Sequence, residues 1–235
     1  MSTKARFYGG QIEFFESSTH QRVLVAAPLV FREDFLGKAL DTNVWGTRDT
    51  LSATEAYKAA APNGVMELAL TNANEIQLAG IDFADQRSFA LANGLVAEFR
   101  FRFTTLPTGV TVACVGLCGN HNAAVDTVAE SVWFRADGSG AITVENDDTS
   151  HETSKVATGV TLTANTWTIG RIDLTDPTSV MFFLDGNRVA AATAFNMNQV
   201  TTLVLQPVAR IGKESGATDV GVLEVDYIHI WSRRS

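Results

Sequence analysis

The stretch LVAEFRFRF, Leu95 to Phe103, decides the fold. In an extended chain successive side chains point to opposite faces, so Leu95, Ala97, Phe99, Phe101 and Phe103 share one face. Val96, Glu98, Arg100 and Arg102 share the other. Helical geometry would scatter both sets, and the stretch is therefore expected to be a strand with one buried face.

The same pattern recurs on either side of it. SVWFRADGSGAITVEN places Asp137-Gly138 between two strand-like runs, and SVMFFLDGNRVAA repeats the arrangement at Asp185-Gly186. Such dipeptides accept the positive φ of tight turns, which predicts two hairpins. TWTIGRIDL and TTLVLQPVARIG add further strands, while the Ala-rich SATEAYKAAAP is expected to form one or two helical turns ended by Pro62. Many short strands with almost no helix predict an all-β chain: a two-sheet antiparallel sandwich whose packing manages its exposed edges. The first thirty residues differ. GQIEFFESSTHQRVLVAAP reads as two strands, Gln11 to Glu16 and Gln21 to Ala26, with Pro28 separating them from the rest of the chain. Residues 1–30 are therefore expected to be an N-terminal β-hairpin arm, and residues 31–235 the sandwich. An isolated hairpin is marginal in water, so the arm must pack on the body or on another chain.

Composition narrows the function. A net charge of −8 across 235 residues provides no basic surface for nucleic acid. No apolar run is long enough to span a membrane as a helix, and the opening MSTKARFYGG lacks the apolar core of a secretory signal. Cys114 and Cys118 lie on one predicted strand, roughly 13 Å apart, too far for a disulfide or for one zinc ion together with His121. They are expected to be buried thiols. The four histidines, His20, His121, His151 and His229, form no metal-binding spacing, and no phosphate loop occurs. ENDDTSHE, 145–152, is rich in oxygen but lacks regular calcium-loop spacing, so a solvated hairpin end is expected. No metal or cofactor is predicted. Most aromatics sit in apolar strands and should fill the core, leaving Tyr8 and Tyr57 exposed.

LEVDYIHIW, Leu223 to Trp231, raises the question of catalysis, since Glu224 and Asp226 would point the same way on a strand. Several positions together resemble the concanavalin A-like lectin/glucanase superfamily, which includes laminin-G-like modules. They are Phe31, Asp34, Phe35 and Trp45; Phe183, Asp185 and Gly186; and Val225, Asp226, Tyr227 and Trp231. The resemblance runs from Phe31 to Trp231 and implies a jelly-roll sandwich; it does not select among enzyme, sugar binder and structural module. Glucanases of that superfamily carry Glu-x-Asp-x-(x)-Glu on a strand in mid-chain. Here Glu224 and Asp226 lack a second Glu and lie on the closing strand, while the mid-chain AAVDTVAESVWFR offers only Asp126 and Glu130, expected in a solvated loop. No catalytic residue is predicted.

The chain is also similar to phage capsid-decoration proteins with lectin-like sandwiches. That similarity implies a non-enzymatic virion structural protein, assembled in the host cytoplasm and homo-oligomeric, with a trimer in view. Its partner would be the major capsid protein or another virion protein, bound through Phe7, Tyr8, Ile12, Phe14 and Val23 of the arm. The alternative is a carbohydrate-binding adhesin that takes a glycan; a glycoside hydrolase with unusual acids ranks third.

Overall fold

A computed structural model describes residues 29–198 and 203–233, together with the backbone of 3–8, 11–16 and 22–23. In chain order the strands are β1 (Thr3–Tyr8), β2 (Gln11–Glu16), β3 (Arg22–Val23), β4 (Leu29–Glu33), β5 (Gly46–Thr47), β6 (Thr54–Tyr57) and β7 (Met66–Leu70). Next come β8 (Gln77–Asp82), β9 (Phe89–Ala90), β10 (Leu95–Thr105), β11 (Val112–Cys118), β12 (Glu130–Asp137) and β13 (Ala141–Asp148). The series ends with β14 (Thr153–Thr161), β15 (Thr168–Leu174), β16 (Met181–Leu184), β17 (Asn187–Val189), β18 (Val204–Lys213) and β19 (Gly221–Ser232).

These strands build two eight-stranded antiparallel sheets. Sheet I runs β17-β16-β15-β10-β19-β7-β6, with β4 also on β19; sheet II runs β14-β13-β12-β11-β18-β8-β5, with β9 also on β18. The expected all-β sandwich is therefore observed. β10 alternates as its sequence predicts: Phe99, Phe101 and Phe103 are buried, while Glu98, Arg100 and Arg102 reach partly into solvent. Its phenylalanines meet the facing layer directly, Phe101 lying 6.2 Å from Phe134 of β12, and Phe134 in turn lying 5.6 Å from Phe182 of β16. Each such ring stabilises the sandwich by roughly 1.5–3 kcal/mol through burial alone.

Both predicted hairpins form. β12 pairs with β13 around Gly138 at φ 57°, and β16 pairs with β17 around Asp185 and Gly186 at φ 48° and 79°. Two successive positive φ values are what a two-residue turn between twisted strands requires.

One expectation about local structure fails. SATEAYKAAAP is not helical: Thr54–Tyr57 is a strand paired with β7, because alternate residues of a segment that can pair gain more from the ladder than an isolated turn gains from alanine propensity. Tyr57 is consequently not an exposed residue but half-buried, its ring edge-on to Phe35 at 6.1 Å, and burial pushes its hydroxyl up to about 12. In the N-terminal segment the expected pairing of Gln11–Glu16 with the strand that follows is present as β2 with β3, and β1 adds a third strand on the other side of β2; among the described residues these three pair only with each other. The side chains of Phe7, Tyr8, Ile12, Phe14 and Val23 lie outside the described residues.

Candidate functional site

β19 lies near the middle of sheet I, and its outward side carries the residues singled out in LEVDYIHIW. The register slips between Arg100 and Phe101: Arg100 faces Tyr227, whereas Phe101 faces Val225. Asp226 is the extra residue of this bulge, so Glu224, Asp226 and Tyr227 all reach the outer face. Glu224 is fully buried there, receiving Lys58 and, at 2.7 Å, the Nε of Arg102. Asp226 receives Arg100, and Lys58 also reaches Glu67 at 3.2 Å. Its hydrogen bond to Glu224 raises the Lys58 pKa despite partial burial. Both carboxylates are engaged by cations of their own face, and a substrate could reach either only by displacing an ion pair. The arrangement is a structural charge ladder across β6, β7, β19 and β10.

The same face holds aromatics that the sequence assigned to the core. Trp167 is partly exposed, with the guanidinium of Arg102 4.3 Å and that of Arg100 4.7 Å from its ring centre. Tyr227 and His229 stack at 4.2 Å with an 18° angle between planes, and Tyr227 donates its hydroxyl proton to Glu98 at 2.9 Å. Trp231, next but one along the strand, is also partly exposed. By contrast Trp45 and Trp133 are buried, as expected. The alternation that marked β10 was present in Tyr227, His229 and Trp231 as well, and was the signal available for these residues.

The mid-chain strands of sheet II carry a second cluster on their outward side. Opposite the core, β11 presents Cys114, Gly116 and Cys118, and β12 presents Ser131, Trp133 and Arg135. Both thiols are free and buried, and burial, aided by the charge of Glu145 on Cys114 and of Asp82 on Cys118, pushes them far above the ordinary thiol range. Trp133 donates its indole proton to Glu145 of β13. Arg135, 2% exposed, is held by Asp126, by Asp137 at 2.7 Å and by Glu145 at 3.3 Å. Burial opposes its charge, but the bonds to Asp126 and Asp137 outweigh that and raise its pKa. Asp126 is largely exposed as expected, yet it is tied to Arg135; Glu130 starts β12 and is half-buried.

Residues 119–129 cross this face as a strap. Gly119 donates its amide to the carbonyl of Glu130 at 2.8 Å, His121 donates its amide to Asp85 at 2.6 Å, and Arg210 of β18 grips the carbonyls of Asn122 and Ala123 at 2.6 and 2.5 Å. Val128 and Val125 then close over Cys114, Cys118, Trp133 and Val208, forming a second, small apolar cluster outside the main core. Beneath the strap Gln206 is fully satisfied: its oxygen accepts the amides of Phe83 and Asp85, and its nitrogen donates to Asp85 and to the carbonyl of Gly119. The strap divides the face into a small recess over β12 and β13 and a larger cleft toward β8 and β18.

ENDDTSHE is a solvated hairpin end only in its second half, where Thr149, Ser150 and Glu152 are exposed between β13 and β14; Glu145, Asn146 and Asp148 are buried, because β13 continues through Asp148 and carries them between β12 and β14. Asp147 has its pKa raised by burial and by the neighbouring charges of Glu152 and Asp148. Among the described residues no group of three or more His, Cys, Asp or Glu is placed to hold a metal ion, and no helix is long and apolar enough to cross a membrane.

Comparison with known proteins agrees with this fold. Among solved structures, SO2946, a protein of unknown function from Shewanella oneidensis MR-1, superposes with a TM-score of 0.57 at 14% identity, over 90% of this chain and 89% of that one. A Bacteroides ovatus GH16 enzyme of a mixed-linkage glucan locus, solved with an oligosaccharide product, gives 0.60 at 11% identity, over 85% and 99%. The carbohydrate recognition domain of Emp47p gives 0.56 at 10% identity, over 87% and 95%. These similarities establish the concanavalin A-like jelly roll. No curated protein sequence gives a match. The family model described as SO2946-like, C-terminal domain, matches residues 55–230, three quarters of the sequence, and the chain belongs to that family.

Proposed function

We propose that this domain is a non-catalytic recognition module that binds a glycan on the outer face of sheet I. The observation that carries the reading is the pairing of partly exposed aromatics with immobilised cations on one face: Trp167, Tyr227 and Trp231 beside Arg100 and Arg102, which the buried Asp226 and Glu224 hold in place. Aromatic rings present apolar faces on which sugar rings stack, and neighbouring fixed donors and acceptors orient hydroxyl groups. The carbohydrate-active and carbohydrate-binding proteins that share the fold support the ligand class. The carboxylates on these faces are committed to cations, which supports binding over hydrolysis. Glu224 and Asp226 are tied to cations, and the carboxylate on the outward side of β11 and β12, Asp137 at the end of β12, is held by Arg135 and Lys155.

The test is a glycan array followed by calorimetry on the best ligand. Saturable binding that falls at least tenfold in Trp167→Ala, with no release of reducing sugar from β-1,3- or mixed-linkage glucans, is expected. Turnover of either glucan by the purified protein overturns the reading, as does a silent array.

A second reading, attachment to a virus particle through the arm, is favoured by one observation: among the described residues β1, β2 and β3 pair only with each other, which leaves β1 as a six-residue edge able to accept a strand. It predicts that protein lacking residues 1–28 no longer co-sediments with particles. Equal co-sedimentation of the truncated and full proteins overturns it.

A further inference from the structure

The larger cleft beside the strap encloses about 530 Å³ and has an unusual polarity. Its walls are aliphatic, built from Leu78, Val112 and Val125, and its mouth carries Ile76 and Val110, which are 51% and 49% exposed. Its floor is cationic. Arg210 and Lys213, 6% and 5% exposed, both line it, and among the described residues neither has a carboxylate within ion-pair distance.

Backbone carbonyls hold both cations. Lys213 gives its three protons to the carbonyls of Thr71, Ala73 and Asp219 at 2.7 to 2.9 Å. Arg210 gives two of its five to the strap carbonyls, and among the described residues the others have no further acceptor. The acids nearby are committed elsewhere. Asp82 pairs with Arg48, Asp126 pairs with Arg135, and Glu75 accepts the amide of Ser52 and the side-chain nitrogen of Gln77. Asp126 and Glu214 line the cleft, Glu214 exposed and without an ion pair among the described residues, and Asp219 at the mouth accepts the amide of Val110 at 3.1 Å. Carbonyls satisfy hydrogen bonds but do not neutralise charge, and burial lowers the pKa of Arg210 accordingly.

We propose that this cleft binds an amphiphilic monoanion, a straight-chain aliphatic carboxylate, with its head on the free guanidinium edge of Arg210 and its tail between Leu78, Val112 and the mouth residues Ile76 and Val110. A neutral sugar is disfavoured here because, among the described residues, no aromatic ring lines the cleft. A cationic amphiphile would meet two like charges on the floor.

Isothermal titration of the full chain with decanoate, decanol and decyltrimethylammonium, each below its micellar concentration, tests the assignment. Decanoate is expected to bind at one site and at least tenfold more tightly than decanol, with no binding of the cation. Ile76→Glu and Val110→Glu, at the exposed mouth positions, are each expected to weaken decanoate at least tenfold. Arg210→Gln is expected to equalise decanoate and decanol; should it fail to fold, the two mouth variants decide the matter. Equal affinity for decanoate and decanol in the wild type, or undiminished decanoate binding in both mouth variants, overturns the proposal.

Discussion

Glu224 shows how one residue can carry the geometry of catalysis and serve another purpose. Its carboxylate is fully buried, between Arg102 and Lys58, which are themselves 22% and 35% exposed. Removing its charge leaves two cations facing a neutral amide in a poorly hydrated site, which for fully buried pairs costs about 3–5 kcal/mol. With both partners partly in water, Glu224→Gln is expected to cost about 2 kcal/mol in urea unfolding. His121 makes a second residue-level case. Burial, and then the charges of Arg210 and Arg48, lower its pKa below the ordinary 6.5, with Asp82 at 3.5 Å and Asp85 only partly opposing them. The unfolded chain therefore binds a proton more readily than the native one, so this contribution to stability is complete above about pH 6.5 and is lost as pH falls below it. His121→Asn is expected to flatten the fall in unfolding free energy between pH 7 and pH 5. Neither partnership was visible in the sequence. Lys58 lies 166 positions from Glu224, and Arg210 88 positions from Asn122, and no local pattern encodes a contact across such separations.

At the level of elements, alternation carried most of the information. β10, the two Asp-Gly hairpins and the strands of TWTIGRIDL and TTLVLQPVARIG follow from period two and turn chemistry alone. β18 even accommodates a proline: Pro207 pairs with Leu117 of β11, and on the other flank it falls between the segment laddered to β9 and the segment laddered to β8. Its missing N–H thus costs no cross-strand bond on that flank. β6 was missed because its four residues adjoin an alanine-rich run, and the strap was missed because small and polar residues read as a solvated loop although their backbone carbonyls hold a buried arginine. Gly116 is the element-level test. A side chain there would collide with the carbonyl of Val132 and with the backbone and Cβ of Trp133, atoms fixed in the paired strand. Gly116→Ala is expected to cost about 3 kcal/mol or more, lowering the melting temperature by several degrees, with Trp133 displaced from Glu145.

For the whole molecule, the pairing of β4 anchors the start of the sandwich. β4 holds the second half of β19, Ile228 to Ser232, and delivers Phe31 to a ring cluster with Phe83 at 5.1 Å, Trp45 at 5.8 Å and Phe89 at 6.1 Å. Removal of residues 1–28 leaves these contacts in place and is expected to give soluble protein with a single cooperative melt. Removal of residues 1–33 strips β4, bares half of β19 as an edge and vacates the ring cluster; aggregated or molten protein is expected, read by gel filtration and near-ultraviolet dichroism. The central place of β19 has a bearing on biosynthesis. Among the described residues this strand alone joins β10 to β7 and β4, so sheet I stays in unconnected fragments until Ser232 has left the ribosome. Such long-range closure makes the nascent chain wait with half a sandwich exposed, and its yield in a cell will depend on chaperones that shield those phenylalanines during translation.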